Sequence, residues 1–247
     1  MPESPFLSIV LPAFHEARRL PPTLQRLAEF CEGLAFPYEV LVVVERGSDG
    51  TLEIAAEFAA RQAHFQAIDN QVQRGKGYAV RSGMLRAKGA HIFYMDADLS
   101  VPLADVSKFL AHFAAHPEID VLIGNRQHAR SQITLAQSWL RRSMGVTFNR
   151  VLRLCGVAPL HDTQCGFKAF RHAPAQAIFS RQKLDGFAFD VEVLLLAERL
   201  GYKIEDLPVE WINSPESRVR MVRDSLQMLR DSLRVRRLVD ASLREQR

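Results

Sequence analysis

The first half of the chain alternates short runs of β-favouring apolar residues with stretches of helical periodicity. The apolar runs lie at 7–11, 38–44, 65–68, 92–95 and 121–124, with a helical stretch and loops of a few residues between each pair. Such spacing is typical of right-handed βαβ units, whose strands lie parallel in one sheet. The sequence therefore predicts an α/β fold with a mostly parallel sheet flanked by helices.

The second half is less regular and ends in one long helical pattern. We expect a basic helix at about 132–154, a turn into a strand at 162–168, a helix at 187–200 and a strand at 204–211. From 217 to 247 there is no Gly or Pro, and apolar residues recur on one helix face among arginines. We predict one domain at 1–216, followed at 217–247 by a basic amphipathic helix whose first half packs on that domain.

Composition excludes several classes of protein. Hydrophobic residues make up 47% and charged residues 24% of 247 residues, which suits a globular domain with a large core. The three cysteines are far apart and form no C-x-x-C pair, which argues against a disulfide framework or a zinc site. We see no secretion signal and no apolar run long enough to cross a bilayer, and we expect a cytoplasmic protein.

The net charge of +4 is concentrated near the carboxyl terminus. Residues 218–247 hold nine arginines and four acids, a net charge of +5, so that residues 1–217 sum to −1. A basic helix of this kind suits an anionic membrane surface, nucleic acid or simple solvation. Because aromatic residues do not interleave with a basic patch, we expect no nucleic-acid partner and a peripheral contact with the cytoplasmic membrane face.

Two acids separated by one small residue, Asp96-Ala97-Asp98, follow the apolar run at 92–95. Carboxylates so spaced at a strand end can share one divalent cation, and hard oxygen ligands suit Mg²⁺ or Mn²⁺ bound to a diphosphate. The alternative is a solvated strand end with a helix cap. Pro12-Ala13-Phe14 and Glu45-Arg46-Gly47 follow two other predicted strands, and ligands of parallel sheets bind beyond such ends. This convergence favours a binding site.

Gly75-Lys76-Gly77 opens a predicted helix. The glycines permit close approach of backbone to a ligand, the helix amino terminus favours an anion, and Lys76 adds a positive charge. The spacing of a P-loop is absent. Beside a metal-binding acid pair, this segment completes a predicted diphosphate site.

The order of these motifs resembles family 2 glycosyltransferases, which have the Rossmann-like GT-A fold. The motifs are 12–16, 45–51, 75–77 and 96–100. Three more, 162–168, 189–192 and 208–211, resemble polyprenyl-phosphate hexosyltransferases, above all the dolichyl-phosphate β-glucosyltransferases and next the dolichyl-phosphate mannose synthases. The resemblance covers about residues 6–235.

The resemblance implies an inverting transfer of a hexose from a nucleotide-sugar to a polyprenyl or dolichyl phosphate, with UDP-glucose favoured over GDP-mannose. It implies Mn²⁺ or Mg²⁺ on the donor diphosphate, held by Asp96 and Asp98. The residues expected to bind the nucleotide-sugar are Pro12, Ala13, Phe14, Glu16, Glu45, Lys76, Asp96 and Ala97. The chain departs from the family pattern at His15, where Asn is usual, and in a shortened loop that contains Glu45 and Arg46.

The expected acceptor side is basic. Gly124-Asn125-Arg126 resembles the G-S-R of the family, and Arg141 and Arg142 lie on the predicted basic helix. Arginine donates bidentately to phosphate, although Arg141 and Arg142 could equally cover a helix face. A phosphate acceptor is already anionic and needs no general base.

The alternative acceptor is a soluble hydroxyl, which would need a base. The catalytic candidates are therefore Asp98, with Asp190 or Glu192 as the base. A nucleotidyltransferase would share the crevice and the metal, but the Gly-rich loop of that class is missing after the first strand. An inactive module that binds a sugar nucleotide would fit the shortened loop at Glu45.

Overall fold

The computed structural model describes residues 4–126, 128, 131, 162–212 and 221–244, with the side chains of 221–229, 232 and 233 excepted. The predicted basic helix at 132–154, and with it Arg141 and Arg142, lies outside the described residues. The predicted domain boundary at 216 lies outside them too. Both stay predictions.

The described residues form seven strands and seven helices. In chain order they are β1 (Leu7–Ala13), α1 (Leu20–Glu32), β2 (Tyr38–Val44), α2 (Thr51–Ala59), β3 (Phe65–Asp69), α3 (Lys76–Arg86), β4 (His91–Met95), α4 (Ala104–Ala115), β5 (Val121–Asn125), β6 (Phe167–Arg171), α5 (His172–Phe179), α6 (Phe189–Arg199), β7 (Ile204–Pro208) and α7 (Met221–Arg244).

One sheet contains all seven strands in the order β3-β2-β1-β4-β6-β5-β7. β6 runs antiparallel to both β4 and β5, and the other neighbouring strands are parallel. The α/β fold with a mostly parallel sheet is thereby confirmed. The carboxyl ends of β1, β2 and β4 meet at one edge of this sheet.

Apolar side chains of the central strands are buried in two hydrophobic cores, one on each face of the sheet. Ile9 and Val42 belong to the core that α1, α2 and α4 cover, whereas Val10 and Val43 belong to the core covered by α3, α5, α6 and α7. Successive strand residues point to opposite faces, so a run that is buried on both faces must be apolar throughout. The continuous apolar sequence of β2 has this origin.

The structure departs from the sequence prediction most clearly at the ends of β1 and β7 and in one additional helix, α5. β1 continues through Pro12 to Ala13, because pairing with β4 ends at Val10 and only β2 flanks Pro12. Proline is tolerated where a strand lacks a second neighbour. β7 ends at Pro208 instead of 211, and the sequence prediction contained no helix at α5.

The carboxyl-terminal helix packs on the domain through its last turns. Val235 and Val239 are fully buried in the core beside α6, and Ser242 Oγ donates to the carbonyl of Arg181 at 3.0 Å. The second half of this helix therefore also packs on the domain, whereas the predicted packing of its first half depends on side chains outside the described ones and stays a prediction. No described helix is both long and apolar enough to cross a membrane.

Candidate active site

The acid turn follows β4 directly and faces the first turn of α3. Lys76 Nζ lies 2.6 Å from Asp96 Oδ1, and both side chains are partly exposed. Burial lowers the pKa of Lys76, but the attraction of Asp96 and then of Asp190 outweighs it, so that this pKa lies above its usual value. Lys76 is therefore a cation beside the acids at the sheet edge.

Gly166 shapes the space in which Asp96 lies. The backbone N–H of Asp96 donates to the carbonyl of Gly166 at 3.1 Å. A Cβ at Gly166 would lie 2.0 Å from Asp96 Oδ2, far inside contact distance. Glycine is required here because the backbone itself forms the wall against the carboxylate.

Asp98 is the second acid of the turn. Its Oδ1 accepts the backbone N–H of Ser100 at 3.0 Å, and Thr23 Oγ1 donates to the carbonyl of Ala97 at 2.6 Å. Leu99 has φ of 47°, a left-handed conformation that leucine rarely adopts. These contacts stabilise a tight turn and leave the Asp98 side chain partly exposed.

The donor set of this turn fits a divalent cation on a diphosphate. Among the described residues no group of three His, Cys, Asp or Glu side chains could hold a metal ion. Mg²⁺ in phosphate-transfer sites, however, takes one or two carboxylates and completes its shell with phosphate oxygens and water. Asp96 and Asp98 supply hard oxygen donors of that kind.

Glu45, at the end of β2, supports the glycine loop. Its Oε1 accepts the backbone N–H groups of Arg74 at 3.0 Å and Gly75 at 2.7 Å, and the residue is 3% exposed. Burial raises its pKa above the usual value, although those two bonds oppose the shift. Glu45 thus contacts the loop that precedes Lys76, and this favours an indirect role for Glu45 at the donor site.

The loops after β1 and β2 are tied together at the same edge. Asp49 accepts Thr51 Oγ1 at 2.7 Å and the backbone N–H of Ala17 at 3.1 Å, while Thr51 Oγ1 accepts the N–H of Glu16 at 2.8 Å. Glu16 itself accepts Arg19 Nε at 2.6 Å. Pro12 and Phe14, at the end of β1, remain partly exposed at this edge of the sheet.

The two candidate bases are both buried and bonded inside the protein. Asp190 is 3% exposed and accepts the Tyr94 hydroxyl and Lys168 Nζ. Glu192 is fully buried, and its oxygens accept the backbone N–H groups of Lys183 at 2.8 Å and Leu184 at 2.7 Å. These contacts argue against the general-base roles predicted for a hydroxyl acceptor.

Arg126 is held by Asp162, the first residue of the motif at 162–168. Its Nε and Nη2 donate to Asp162 at 2.7 and 2.8 Å, and its guanidinium lies 4.7 Å from the centre of the Trp211 ring. Asp162 is fully buried; burial raises its pKa, but Arg126 lowers it further, to below the usual value. Trp211 and Asp96 line the same small surface pocket, and Arg126 lies against the Trp211 ring, so Arg126 is near the acid turn.

Comparison with known proteins identifies the family of this chain and supports its fold. The model of the family "Glycosyl transferase family 2" matches residues 8–179. The dolichyl-phosphate beta-glucosyltransferase of Drosophila melanogaster is 33% identical over 91% of this chain and 72% of its own. That of Saccharomyces cerevisiae is 30% identical over 95% of this chain and 75% of its own.

Solved structures agree with the fold. Glucosyl-3-phosphoglycerate synthase from Mycobacterium tuberculosis, in complex with UDP, has a TM-score of 0.69 at 15% identity and covers 94% of this chain and 80% of its own. Mannosyl-3-phosphoglycerate synthase from Rubrobacter xylanophilus has a TM-score of 0.66 at 17% identity and covers 98% of this chain and 75% of its own. The former enzyme has also been crystallised with Mn²⁺ or Mg²⁺ and UDP. These matches confirm the predicted GT-A fold.

Proposed function

This chain belongs to glycosyl transferase family 2 and is a glycosyltransferase, and from that premise we propose that it transfers glucose from UDP-glucose to a polyprenyl phosphate. The relatives named dolichyl-phosphate beta-glucosyltransferases support the donor and the acceptor. The observation that carries the proposal is the Lys76–Asp96 pair beside Asp98, at the edge where parallel strands bind ligands.

The donor diphosphate would lie between the acid turn and the first turn of α3. Lys76 and the amino terminus of α3 attract its negative charge, and Glu45 holds the loop that presents them. Asp96 and Asp98 would hold Mn²⁺ or Mg²⁺, which when bound neutralises charge on the leaving diphosphate. Pro12, Ala13, Phe14, Glu16 and Ala97 would border the nucleoside.

The acceptor side favours a phosphate. A phosphate oxygen is already a nucleophile, so burial of Asp190 and Glu192 does not prevent the reaction. One displacement at the anomeric carbon forms the new C–O bond as the bond to UDP breaks, and thereby inverts the α configuration of UDP-glucose to β. Arg126 donates to Asp162 through Nε and Nη2, and among the described residues Nη1 has no hydrogen-bond partner, so Nη1 is the nitrogen we propose to meet an acceptor phosphate.

A polyprenyl acceptor lies in a bilayer, and α7 offers a surface to meet it. Arg230, Arg234, Arg237 and Arg244 are all exposed on the side away from Val235 and Val239. Anionic lipid headgroups attract such arginines. We therefore place the enzyme as a peripheral protein at the cytoplasmic face of a membrane.

Transfer assays with two donors and two acceptors test the proposal. With Mn²⁺, the purified protein should use UDP-glucose in preference to GDP-mannose and should glucosylate a polyprenyl phosphate but not the matching polyprenol. Nuclear magnetic resonance of the product should show a β-linked glucosyl phosphate. Preference for GDP-mannose or for the polyprenol would contradict the proposal, and UDP binding without turnover would indicate an inactive binding module.

A further inference from the structure

A buried ion pair lies beneath the acid turn and takes no part in the chemistry above. Lys168 Nζ is 2.5 Å from Asp190 Oδ1, and both residues are almost completely shielded from solvent. Removing both charges from water is costly, and apolar residues in their place are often equally stable. Lys168 also interrupts an apolar strand, since Phe167, Ala169 and Phe170 are buried on either side of it. Stability alone therefore does not account for the pair.

The pair reaches the acid turn through the backbone. Lys168 Nζ donates a second hydrogen bond to the carbonyl of Cys165 at 2.7 Å. The next residue, Gly166, accepts the N–H of Asp96 at 3.1 Å, and its Cα lies against the Asp96 carboxylate. Lys168 thus fixes the short segment of backbone that confines Asp96.

Tyr94, on β4, joins Lys168 and Asp190 as the third member of this buried cluster. Its hydroxyl donates to Asp190 Oδ1, the same oxygen that Lys168 contacts. Tyr94 pairs with Lys168 in the β4–β6 register and precedes Asp96 by two residues, while its ring packs 5.8 Å from that of Phe189. One buried oxygen therefore joins β4, β6 and the first turn of α6.

We propose that Tyr94, Lys168 and Asp190 form a positioning triad that holds the Asp96 carboxylate in the orientation that binds the metal and diphosphate of the donor. This inference rests on the donor site of the proposed function. None of the three residues touches the substrate. Asp190 accordingly acts as the hub of the triad and does not abstract a proton from an acceptor.

Tyr94→Phe tests the triad with little disturbance, because it deletes one hydroxyl and keeps the ring. Ser8→Ala is the matched control, since Ser8 Oγ is also buried, donates to Glu39 at 2.6 Å and lies at the opposite end of the sheet. Electron paramagnetic resonance of free Mn²⁺, titrated with protein and UDP, measures metal affinity without turnover. Thermal unfolding of both variants measures stability.

We expect Tyr94→Phe to weaken Mn²⁺ affinity in the presence of UDP by on the order of 10-fold, the usual effect of losing a residue that orients a metal ligand. Metal-free UDP affinity should stay unchanged, and Ser8→Ala should keep full Mn²⁺ affinity. Lys168→Met should weaken Mn²⁺ affinity further, and Lys168→Arg should restore part of it.

Equal melting temperatures for Tyr94→Phe and Ser8→Ala, with unchanged Mn²⁺ affinity in both, would overturn the triad. So would a Tyr94→Phe enzyme that binds Mn²⁺ and UDP normally but has lost turnover, because Asp190 would then act in the chemistry. Weakened Mn²⁺ binding supports the triad even if the acceptor is not a polyprenyl phosphate. A wild-type protein that binds no Mn²⁺ with UDP would overturn both proposals.

Discussion

Exposure separates the acids predicted for the site into two groups. Asp96 and Asp98 keep partly exposed carboxylates, whereas Glu45, Asp190 and Glu192 are buried against backbone amides or a lysine. Only the first group can meet a ligand from solvent without rearrangement. We therefore propose that the acid turn binds the ligand directly and that the buried acids support the turn and its neighbouring loops.

Asp98→Asn should abolish the effect of metal on donor binding. The amide keeps the size of the side chain and can still accept the N–H of Ser100, but it loses the charge that attracts a divalent cation. Calorimetry should show no gain in UDP-glucose affinity when Mn²⁺ is added, and turnover should fall by on the order of 100-fold. Glu57→Gln, which removes an exposed acid from α2, is the control. An undiminished Mn²⁺ effect in Asp98→Asn would remove Asp98 from the metal site.

Arg126→Lys should damage the acceptor side more than the donor side. Lysine preserves the charge opposite buried Asp162, but it lacks the planar fork that pairs bidentately and lies over Trp211. We expect UDP-glucose affinity to persist and transfer to polyprenyl phosphate to fall by on the order of 100-fold. Equal loss of donor affinity, measured by calorimetry, would place Arg126 at the donor instead.

Among the elements, α3 couples the core to the site. It begins at Lys76, and further along it Gly83 lies directly on the sheet, where a Cβ would be 2.4 Å from Val10 Cγ1 and 2.8 Å from Val43 Cγ2. Both valines are fully buried, and β-branched side chains move little. The distance between helix and sheet therefore depends on this glycine.

Gly83→Ala should lower the free energy of unfolding by about 1–3 kcal/mol, because overpacking outweighs the better helix propensity of alanine. It should also weaken Mn²⁺-dependent UDP-glucose binding, since a displaced α3 carries Lys76 with it. Gly33→Ala is the control: Gly33 ends α1 at φ of −79°, with its nearest neighbour 3.4 Å from a Cβ. Urea unfolding of the two variants checks this, and equal stability would contradict tight packing at Gly83.

Local pattern predicted the elements that alternate regularly and missed those that depend on distant partners. The apolar runs located β1 to β5 because each is long enough to show its period. α5 has eight residues with Pro174 in its first turn, too short for a helical period to emerge. The antiparallel insertion of β6 between β4 and β5 depends on pairing across the fold, which no local pattern encodes.

The same limit applies to the site. Asp96, Asp98 and Lys76 could be found because they sit in short motifs at strand or helix ends. Glu45 and Glu192 accept hydrogen bonds from backbone N–H groups. Every residue except proline has such a group, so the sequence does not show which ones these carboxylates bind. Lys168 did carry a signal, a charged residue within an apolar strand, and its meaning emerged only with Asp190 beside it.

At the scale of the whole molecule, charge is distributed so that one surface differs from the rest. The body is near neutral, and the net charge of +5 lies in residues 218–247. On α7, Arg230, Arg234 and Arg237 follow at i, i+4 and i+7, so they share one side, while Val235 and Val239 are buried on another. Among the described side chains, none of these three arginines forms an ion pair with an acid.

Replacing these three arginines by glutamine should weaken binding to anionic vesicles while leaving the fold intact. Each arginine near such a surface contributes about 1 kcal/mol, so affinity should fall by on the order of 100-fold, and salt should release the wild-type protein. Ending the chain after Leu233 would confuse the test, because Val235 and Val239 would be lost from the core. Substitution keeps that packing.

Co-sedimentation with phosphatidylcholine vesicles, with and without phosphatidylglycerol, measures the effect. The matched control replaces Arg26, Arg61 and Lys88 by glutamine, three exposed cations away from α7. Because both triple variants lose the same charge, a difference between them reports the location of the charge and not its amount. If both bind vesicles equally, or if the wild-type protein binds none, α7 is a packing element only, and the proposed lipid acceptor would have to reach the acid turn from another side.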